Sequence, residues 1–388
     1  MSRPDGRLRI LTVFGTRPEA IKLAPVCRAL RERADVFDSR IAVTAQHRGL
    51  LDGVLRNFGL RPDYDLDVMR ENQDLFHITL AALGGLRDVL DDYAPDCVVV
   101  QGDTTTTFVG ALAAFYRRIA VAHVEAGLRT FRKYSPYPEE INRRLTGCIA
   151  DFHFAPTERA RANLLAEGVP EEAIQVTGNT GIDAFLWILA NTEPRLEEVL
   201  PPAAARACRG RFILLTTHRR ESFGAPLVRT LQAVADLAVR HPDVSVIFPV
   251  HPNPNVRREA ASRLGGIRNV HLVEPVDYIP FCHLMQRAEI ILTDSGGIQE
   301  EAPSVSRPVL VLRETTERPE GVEAGVARLV GTDRQRIFEE ASRLLSDRSY
   351  YEAMSRKTNP YGDGKAAVRI VEALAQRLRI DPPAEKLA

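Results

Sequence analysis

Three acidic residues in this 388-residue chain sit where strands are expected to end: Asp103, Glu125 and Glu139. Asp103 follows the run Cys97-Val98-Val99-Val100-Gln101-Gly102. Glu125 closes Ile119-Ala120-Val121-Ala122-His123-Val124, and Glu139 opens Glu139-Glu140-Ile141-Asn142-Arg143 after Tyr137-Pro138. Open parallel α/β sheets bind ligands outside the carboxyl ends of their strands, so carboxylates gathered there point to proton transfer without a metal. Each also has a plainer reading. Asp103 is placed to cap the helix that opens in the four threonines 104–107. Glu139 and Arg143, four apart on a predicted helix, fit a local ion pair. His123 and Glu125 alternate along one strand face in a spacing that imitates a deaminase motif, but the CxxC pair of that motif is missing. His218 ends the run Phe212-Ile213-Leu214-Leu215-Thr216-Thr217 and precedes Arg219-Arg220-Glu221. A histidine there suits a proton donor or a phosphate partner near neutral pH, or else a solvated basic turn. His251, in Pro249-Val250-His251-Pro252, is a weaker case of the same kind.

Two glycine loops supply the other half of the chemistry. In Phe14-Gly15-Thr16-Arg17-Pro18-Glu19-Ala20-Ile21-Lys22, Thr16 and Glu19 have capping-box spacing and Pro18 suits a first helical turn. Arg17 and Lys22 then stand near free backbone N–H groups, a sensible anion site. The second loop, Thr293-Asp294-Ser295-Gly296-Gly297-Ile298-Gln299-Glu300-Glu301, directly follows an apolar run. Its glycines permit close approach of a phosphate and Ser295 adds a hydroxyl. Glu301, about one turn on, is placed to accept both hydroxyls of a ribose, and Arg313 and Arg318 follow. Neither loop is GxGxxG and no Walker A pattern occurs, so neither a nicotinamide cofactor nor ATP is expected.

These residues need elements to carry them. Apolar runs at 10–14, 41–44, 97–100, 119–123 and 152–155 alternate with helical-period segments such as 17–32 and 73–93. The pattern restarts after a polar, proline-bearing stretch at 193–211, with runs at 212–215, 244–248, 270–272, 290–292 and 309–312. Such alternation implies βαβ units and parallel sheets. The expected fold is two doubly wound domains, residues 1–190 and 191–388, facing across a cleft, with an amphipathic last helix near 365–378. The length suits two cores. Lys plus Arg equals Asp plus Glu, 51 each, which argues against nucleic acid or an anionic membrane as the main partner. Five scattered cysteines (Cys27, Cys97, Cys148, Cys208, Cys282) with no CxxC suggest reduced packing residues. With no apolar leader or membrane-length run, a soluble cytoplasmic protein is expected.

Taken together, these motifs resemble the bacterial non-hydrolysing UDP-N-acetylglucosamine 2-epimerases. The resemblance runs in order from about residue 10 to 378. It includes the two glycine loops, Gly102-Asp103-Thr104, His123-Val124-Glu125-Ala126-Gly127-Leu128-Arg129, Tyr137-Pro138-Glu139-Glu140, His218 to Ser222, Thr315 to Glu320, and Asn359-Pro360-Tyr361-Gly362-Asp363-Gly364. It implies a GT-B-like pair of Rossmann-like domains, no cofactor, a homodimer, and a role in polysaccharide biosynthesis. It also implies reversible conversion of UDP-N-acetylglucosamine to UDP-N-acetylmannosamine, by elimination of UDP to 2-acetamidoglucal and re-addition. By resemblance, Asp103, Glu125 and Glu139 are the catalytic acids and His218 stabilises the leaving group. Arg17, Lys22, Ser295, Gly296, Gly297 and Arg318 contact nucleotide or phosphate, Glu301 the ribose, and Phe281 the uracil region. Some family members hold a second substrate molecule as activator through a glutamine and an arginine. Here those positions are Gly49 and Asn72, so the resemblance does not carry activation over, although Gln46, Arg48 and Gln73 are polar neighbours. Three further readings stand beside this one: a 2-epimerase of a UDP-diacetamido-uronic acid, a GT-B glycosyltransferase, and a non-catalytic UDP-sugar sensor.

Overall fold

The computed structural model describes residues 6–44, 48–68, 70, 73–219 and 222–380. Gln46, Asn72, Arg220 and Glu221 therefore lie outside the described residues.

Two parallel sheets organise the chain. The first holds β1 (Leu8–Phe14), β2 (Phe37–Val43), β3 (Tyr64–Asp65), β4 (Cys97–Gln101), β5 (Ala120–Val124), β6 (Phe152–Ala155) and β7 (Ile174–Val176), in the order β3-β2-β1-β4-β5-β6-β7. The second holds β8 (Phe212–Thr216), β9 (Ser245–Pro249), β10 (Val270–Val273), β11 (Ile290–Thr293), β12 (Val309–Val311) and β13 (Ala327–Leu329), in the order β10-β9-β8-β11-β12-β13. Central strands such as β4 and β8 are buried along their whole length, as strands covered on both faces must be. Each fully buried Val, Ile or Leu there contributes about 1.5–3 kcal/mol. Both sheets reverse their winding once, between β1 and β4 and between β8 and β11. The crevice beyond the strand ends at such a reversal is where open α/β sheets place ligands.

The chain divides into two compact units, residues 1–184 with 362–388, and 185–361. The first crossing falls inside the helix Thr180–Asn191 rather than at 190/191. The last helix, Ala366–Ile380, belongs with unit 1, where it packs on the helix Arg17–Glu32. Its start is tied down by Asp183, whose carboxylate accepts from Ala367 N at 2.8 Å. The stretch 193–211 holds two short helices, Leu196–Val199 and Pro202–Ala207. The short edge strands β3, β7 and β13 carry no apolar run, and β2 begins four residues ahead of the apolar stretch because Asp38, Ser39 and Arg40 lie within it.

Candidate active site

In unit 1 the reversal point is knitted by a carboxylate. Glu19, 2% exposed, accepts from the amides of Gly15 at 3.1 Å and Thr16 at 2.8 Å through one oxygen. Through the other it accepts from the hydroxyls of Thr104 at 2.6 Å and Thr107 at 3.1 Å. The β1 and β4 loops are thus locked together. Burial raises the Glu19 pKa from its ordinary value, against the opposing pull of these hydrogen bonds. Gly15 is required by space: a Cβ there would lie 2.1 Å from Thr44 Oγ1 and 2.5 Å from Thr106 Oγ1, two hydroxyls hydrogen-bonded to each other at 2.9 Å.

The three acids are held differently. Thr104 rather than Asp103 caps the helix Thr105–Tyr116, accepting from Thr107 N at 3.1 Å. The Asp103 carboxylate instead pairs with Arg143 Nη2, and its carbonyl accepts from Asn142 Nδ2 at 3.0 Å. The local Glu139–Arg143 pair is not formed, because Arg143 turns to Asp103 and, at 3.3 Å, to Glu140. Glu140 is buried and accepts from the amides of Thr130 and Phe131 at 3.0 Å each, tying the loop after β5 to the helix Glu139–Ile149. Glu125 sits at φ +62°, a left-handed conformation uncommon for a non-glycine residue and most frequent where function demands it. Lys22 Nζ reaches Glu125 Oε1 at 2.5 Å, and Gln101 Nε2 donates to Oε2. Lys22, expected at a phosphate, is therefore engaged with a carboxylate. Glu139 stands apart: its Oε2 is buried with no hydrogen-bond partner. Arg17 is half-buried at the start of its helix.

His123 does not share the face expected of it. It is wholly buried, its Nε2 lies 2.7 Å from Gly102 O, and burial lowers its pKa to about 3. It is a neutral support beneath the Asp103 loop.

Unit 2 builds its reversal point on the same plan. Asp294, fully buried after β11, accepts from the amides of His218 at 3.0 Å and Arg219 at 3.1 Å. It also accepts from the hydroxyls of Thr217 at 3.1 Å and Ser222 at 3.0 Å. His218 Nδ1 lies 3.0 Å from Asp294 Oδ1. Burial opposes ionisation of Asp294, yet its hydrogen bond to His218, the His218 charge and the two amides hold it at about 2. Around the glycine loop, a Cβ on Gly296 would stand 3.5 Å from Arg318 Cζ and 3.7 Å from Arg219 Nη2. Two guanidinium groups thus stand close to the backbone of Gly296, while the space beside Gly297 is open. Arg318 pairs with Glu300 at 2.5 Å and Arg313 with Glu317 at 2.6 Å. Glu301 accepts from Tyr278 Oη at 2.9 Å, and Phe281 is half-buried on the same helix, Tyr278–Arg287. His251 stands beside His218, ring centroids 6.4 Å apart.

Unit 1 therefore brings Asp103 to Arg143 and Glu125 to Lys22, with Glu139 at the start of the helix that carries Arg143 and Arg17 at the start of the helix that carries Lys22. Unit 2 brings together His218, Arg219, Gly296 and Arg318, with Glu301 beside Tyr278. Sequence reading missed Gln101, Arg143, Glu19, Asp294, Arg219 and Tyr278 as participants. Asp294 stood in a quoted motif, and two polar residues inside apolar strand ends (Gln101, Thr293) were the available signal. Among the described residues no three His, Cys, Asp or Glu side chains are arranged to hold a metal ion.

Comparison with known proteins places both the sequence and the fold in one family. Residues 28–375 match the family described as UDP-N-acetylglucosamine 2-epimerase. The UDP-N-acetylglucosamine 2-epimerase of Escherichia coli (strain K12) is 54% identical over 370 residues, covering 95% of this chain and 98% of that protein. That of Bacillus subtilis (strain 168) is 52% identical, covering 95% of each. The crystal structure of UDP-GlcNAc 2-epimerase from Neisseria meningitidis, bound to UDP-GlcNAc, is similar with a TM-score of 0.83 and 48% identity, covering 95% of this chain and 99% of that one. Fold and sequence agree, and the chain belongs to the UDP-N-acetylglucosamine 2-epimerase family.

Proposed function

We propose that this protein interconverts UDP-N-acetylglucosamine and UDP-N-acetylmannosamine. The observation that carries this reading is the trio Asp103, Glu125 and Glu139 at neighbouring strand ends and a helix start, two of them facing a cation and one with a buried oxygen unpartnered. The C2 proton of an N-acetylhexosamine is not acidic, so direct abstraction is unfavourable. Departure of UDP from C1 gives the sugar oxocarbenium character and makes that proton labile. Anti elimination yields 2-acetamidoglucal and UDP. Re-addition then delivers a proton to the opposite face of C2, so acid–base groups are needed on both faces. Asp103, Glu125 and Glu139 fill those roles.

In unit 2, His218, Arg318 and the amides of Ser295, Gly296 and Gly297 stabilise the departing diphosphate, as fixed donors aimed at developing charge do. Glu301, steadied by Tyr278, accepts the ribose hydroxyls, and Phe281 lies toward the uracil. Arg17 adds positive charge at the phosphates, while Lys22 steadies Glu125. The domain plan follows: the acids belong to the N-terminal unit and the UDP contacts to the C-terminal one.

The protein is further read as a cytoplasmic homodimer serving polysaccharide biosynthesis. Five free cysteines support the compartment, and no helix among the described residues is long and apolar enough to cross a membrane. Exposed Phe76, Leu80, Phe115 and Tyr116 on the helices Leu75–Tyr93 and Thr105–Tyr116 offer a face for a second copy.

The test is NMR of UDP-N-acetylglucosamine with the purified protein in deuterated water. Deuterium at C2 of both sugars, with traces of 2-acetamidoglucal and UDP, is expected. Sugar transfer to an acceptor with C2 untouched, or binding without turnover, would end the reading.

A further inference from the structure

Asp294 does more than join two loops. Its Oδ2 is occupied by the amides of His218 and Arg219 and the hydroxyls of Thr217 and Ser222, all at 3.0–3.1 Å. The remaining oxygen, Oδ1, meets the imidazole of His218 at Nδ1, 3.0 Å away, and the His218 amide at 3.2 Å. A carboxylate ringed by donors is an acceptor and nothing else. The ring nitrogen that faces it must therefore carry a hydrogen, which fixes the tautomer through the partner of the other nitrogen. Asp294 itself has no solvent exposure, whereas the His218 side chain is 45% exposed, so the buried partner is the rigid one. Nε2 of His218 has no hydrogen-bond partner among the described residues.

We propose that Asp294 is the positioning residue for His218: it holds the imidazole with its hydrogen on Nδ1, steadies the imidazolium, and presents Nε2 to the departing phosphate. The proposal rests on the placing of His218 at the diphosphate. In the forward direction the imidazolium, with Nδ1–H held by Asp294, gives its Nε2 proton to the β-phosphate oxygen released from C1 and is left as the neutral Nδ1–H ring. On re-addition it takes the proton back. Asp294 stays ionised throughout and never touches substrate. Removing the negative charge while keeping the shape leaves the ring free to adopt the other tautomer, with the Nε2 lone pair lost and nothing to balance the imidazolium.

The direct test uses the full chain labelled with ¹⁵N-histidine, the His218 signals being identified by their loss in His218→Asn. The wild-type ring is expected as the Nδ1–H tautomer when neutral; finding it as Nε2–H overturns the proposal without any variant. Asp294→Asn is expected to lower kcat about 10²- to 10⁴-fold with KM changed less than threefold, and to shift the tautomer population toward Nε2–H. The double variant Asp294→Asn/His218→Asn should be no slower than His218→Asn alone, as for groups that act as a unit. Additive losses, or an unchanged tautomer in Asp294→Asn, mark a purely structural carboxylate and overturn the inference. Full activity in His218→Asn refutes instead the role given to His218, an outcome separate from the tautomer result. Ser222→Ala removes one Asp294 contact without touching the ring and is expected to cost less than tenfold. A loss matching that of Asp294→Asn would assign the effect to the loop.

Discussion

The two reversal points are built alike and charged unlike. Each is closed by one buried carboxylate that takes two backbone amides and two hydroxyls: Glu19 from residues 15, 16, 104 and 107, and Asp294 from residues 217, 218, 219 and 222. Around Glu19 the outward groups are acids, Asp103 and Glu125. Around Asp294 they are cations and an imidazole, His218, Arg219 and Arg318. On the function proposed above, the same bracing serves two tasks, one unit moving protons and the other receiving a polyanion. The single added contact of Asp294, to His218 Nδ1, also reverses the sign of its titration relative to Glu19.

The largest effect that would break the comparison lies in unit 1. Glu125→Gln, Asp103→Asn and Glu139→Gln are each expected to lower kcat by about 10²- to 10⁴-fold. UDP affinity by calorimetry should stay within about threefold, because none of these three acids is assigned to the UDP contacts. A variant of this set that lost UDP binding instead would erase the division of labour. Next, Glu301→Ala should weaken UDP binding by about 10- to 100-fold, the worth of hydrogen bonds to a charged group at about 1.5–3 kcal/mol, and titration calorimetry reads it. Smaller again is Glu19→Gln. Replacing one acceptor oxygen with an amide leaves buried donors mismatched, and urea unfolding should show about 1–3 kcal/mol of lost stability.

The pH dependence of these stabilities is the most discriminating measurement. Asp294 has its pKa lowered from 3.8 to about 2, so the stability it adds is full above 3.8 and is lost as pH falls toward 2, about 2 kcal/mol in all. Glu19 is raised above 4.5, so its contribution is full below 4.5 and is lost as pH rises through the raised value. Urea unfolding across pH 3–7 should therefore show the gap between wild type and Asp294→Asn closing on acidification. The gap between wild type and Glu19→Gln should close in the opposite direction. Slopes of the same sign would show that the two carboxylates are not the contrasting pair described.

Much of this is legible in the amino-acid sequence. The buried parallel strands announce themselves as unbroken apolar runs, and the two glycine loops fall at their ends. Three things were hidden, each for a physical reason. Spacing four apart on one helix pairs Arg143 with Glu139, whereas the fold turns it to Glu140 and brings Asp103 to it from another loop. His123 alternates with Glu125 along the strand, but Glu125 turns into the left-handed region, so the face implied by alternation ends one residue early. Edge strands such as β13 are too short and too polar to signal themselves. Partners that lie dozens of residues apart, as Glu19 and Thr104 do, leave no local mark at all.

The placing of the helix Ala366–Ile380 in unit 1 has a consequence for how the protein is made. Its face, with Ala367, Ile370, Val371, Leu374 and Leu378 buried, packs on the helix Arg17–Glu32, which leaves the ribosome well ahead of it. All of residues 185–361 must be translated in between. At ~5–20 residues per second that is a delay of roughly ten to thirty-five seconds. Throughout it the first unit is a nearly finished sheet with one apolar flank bare, and only the helix that follows residue 361 closes it.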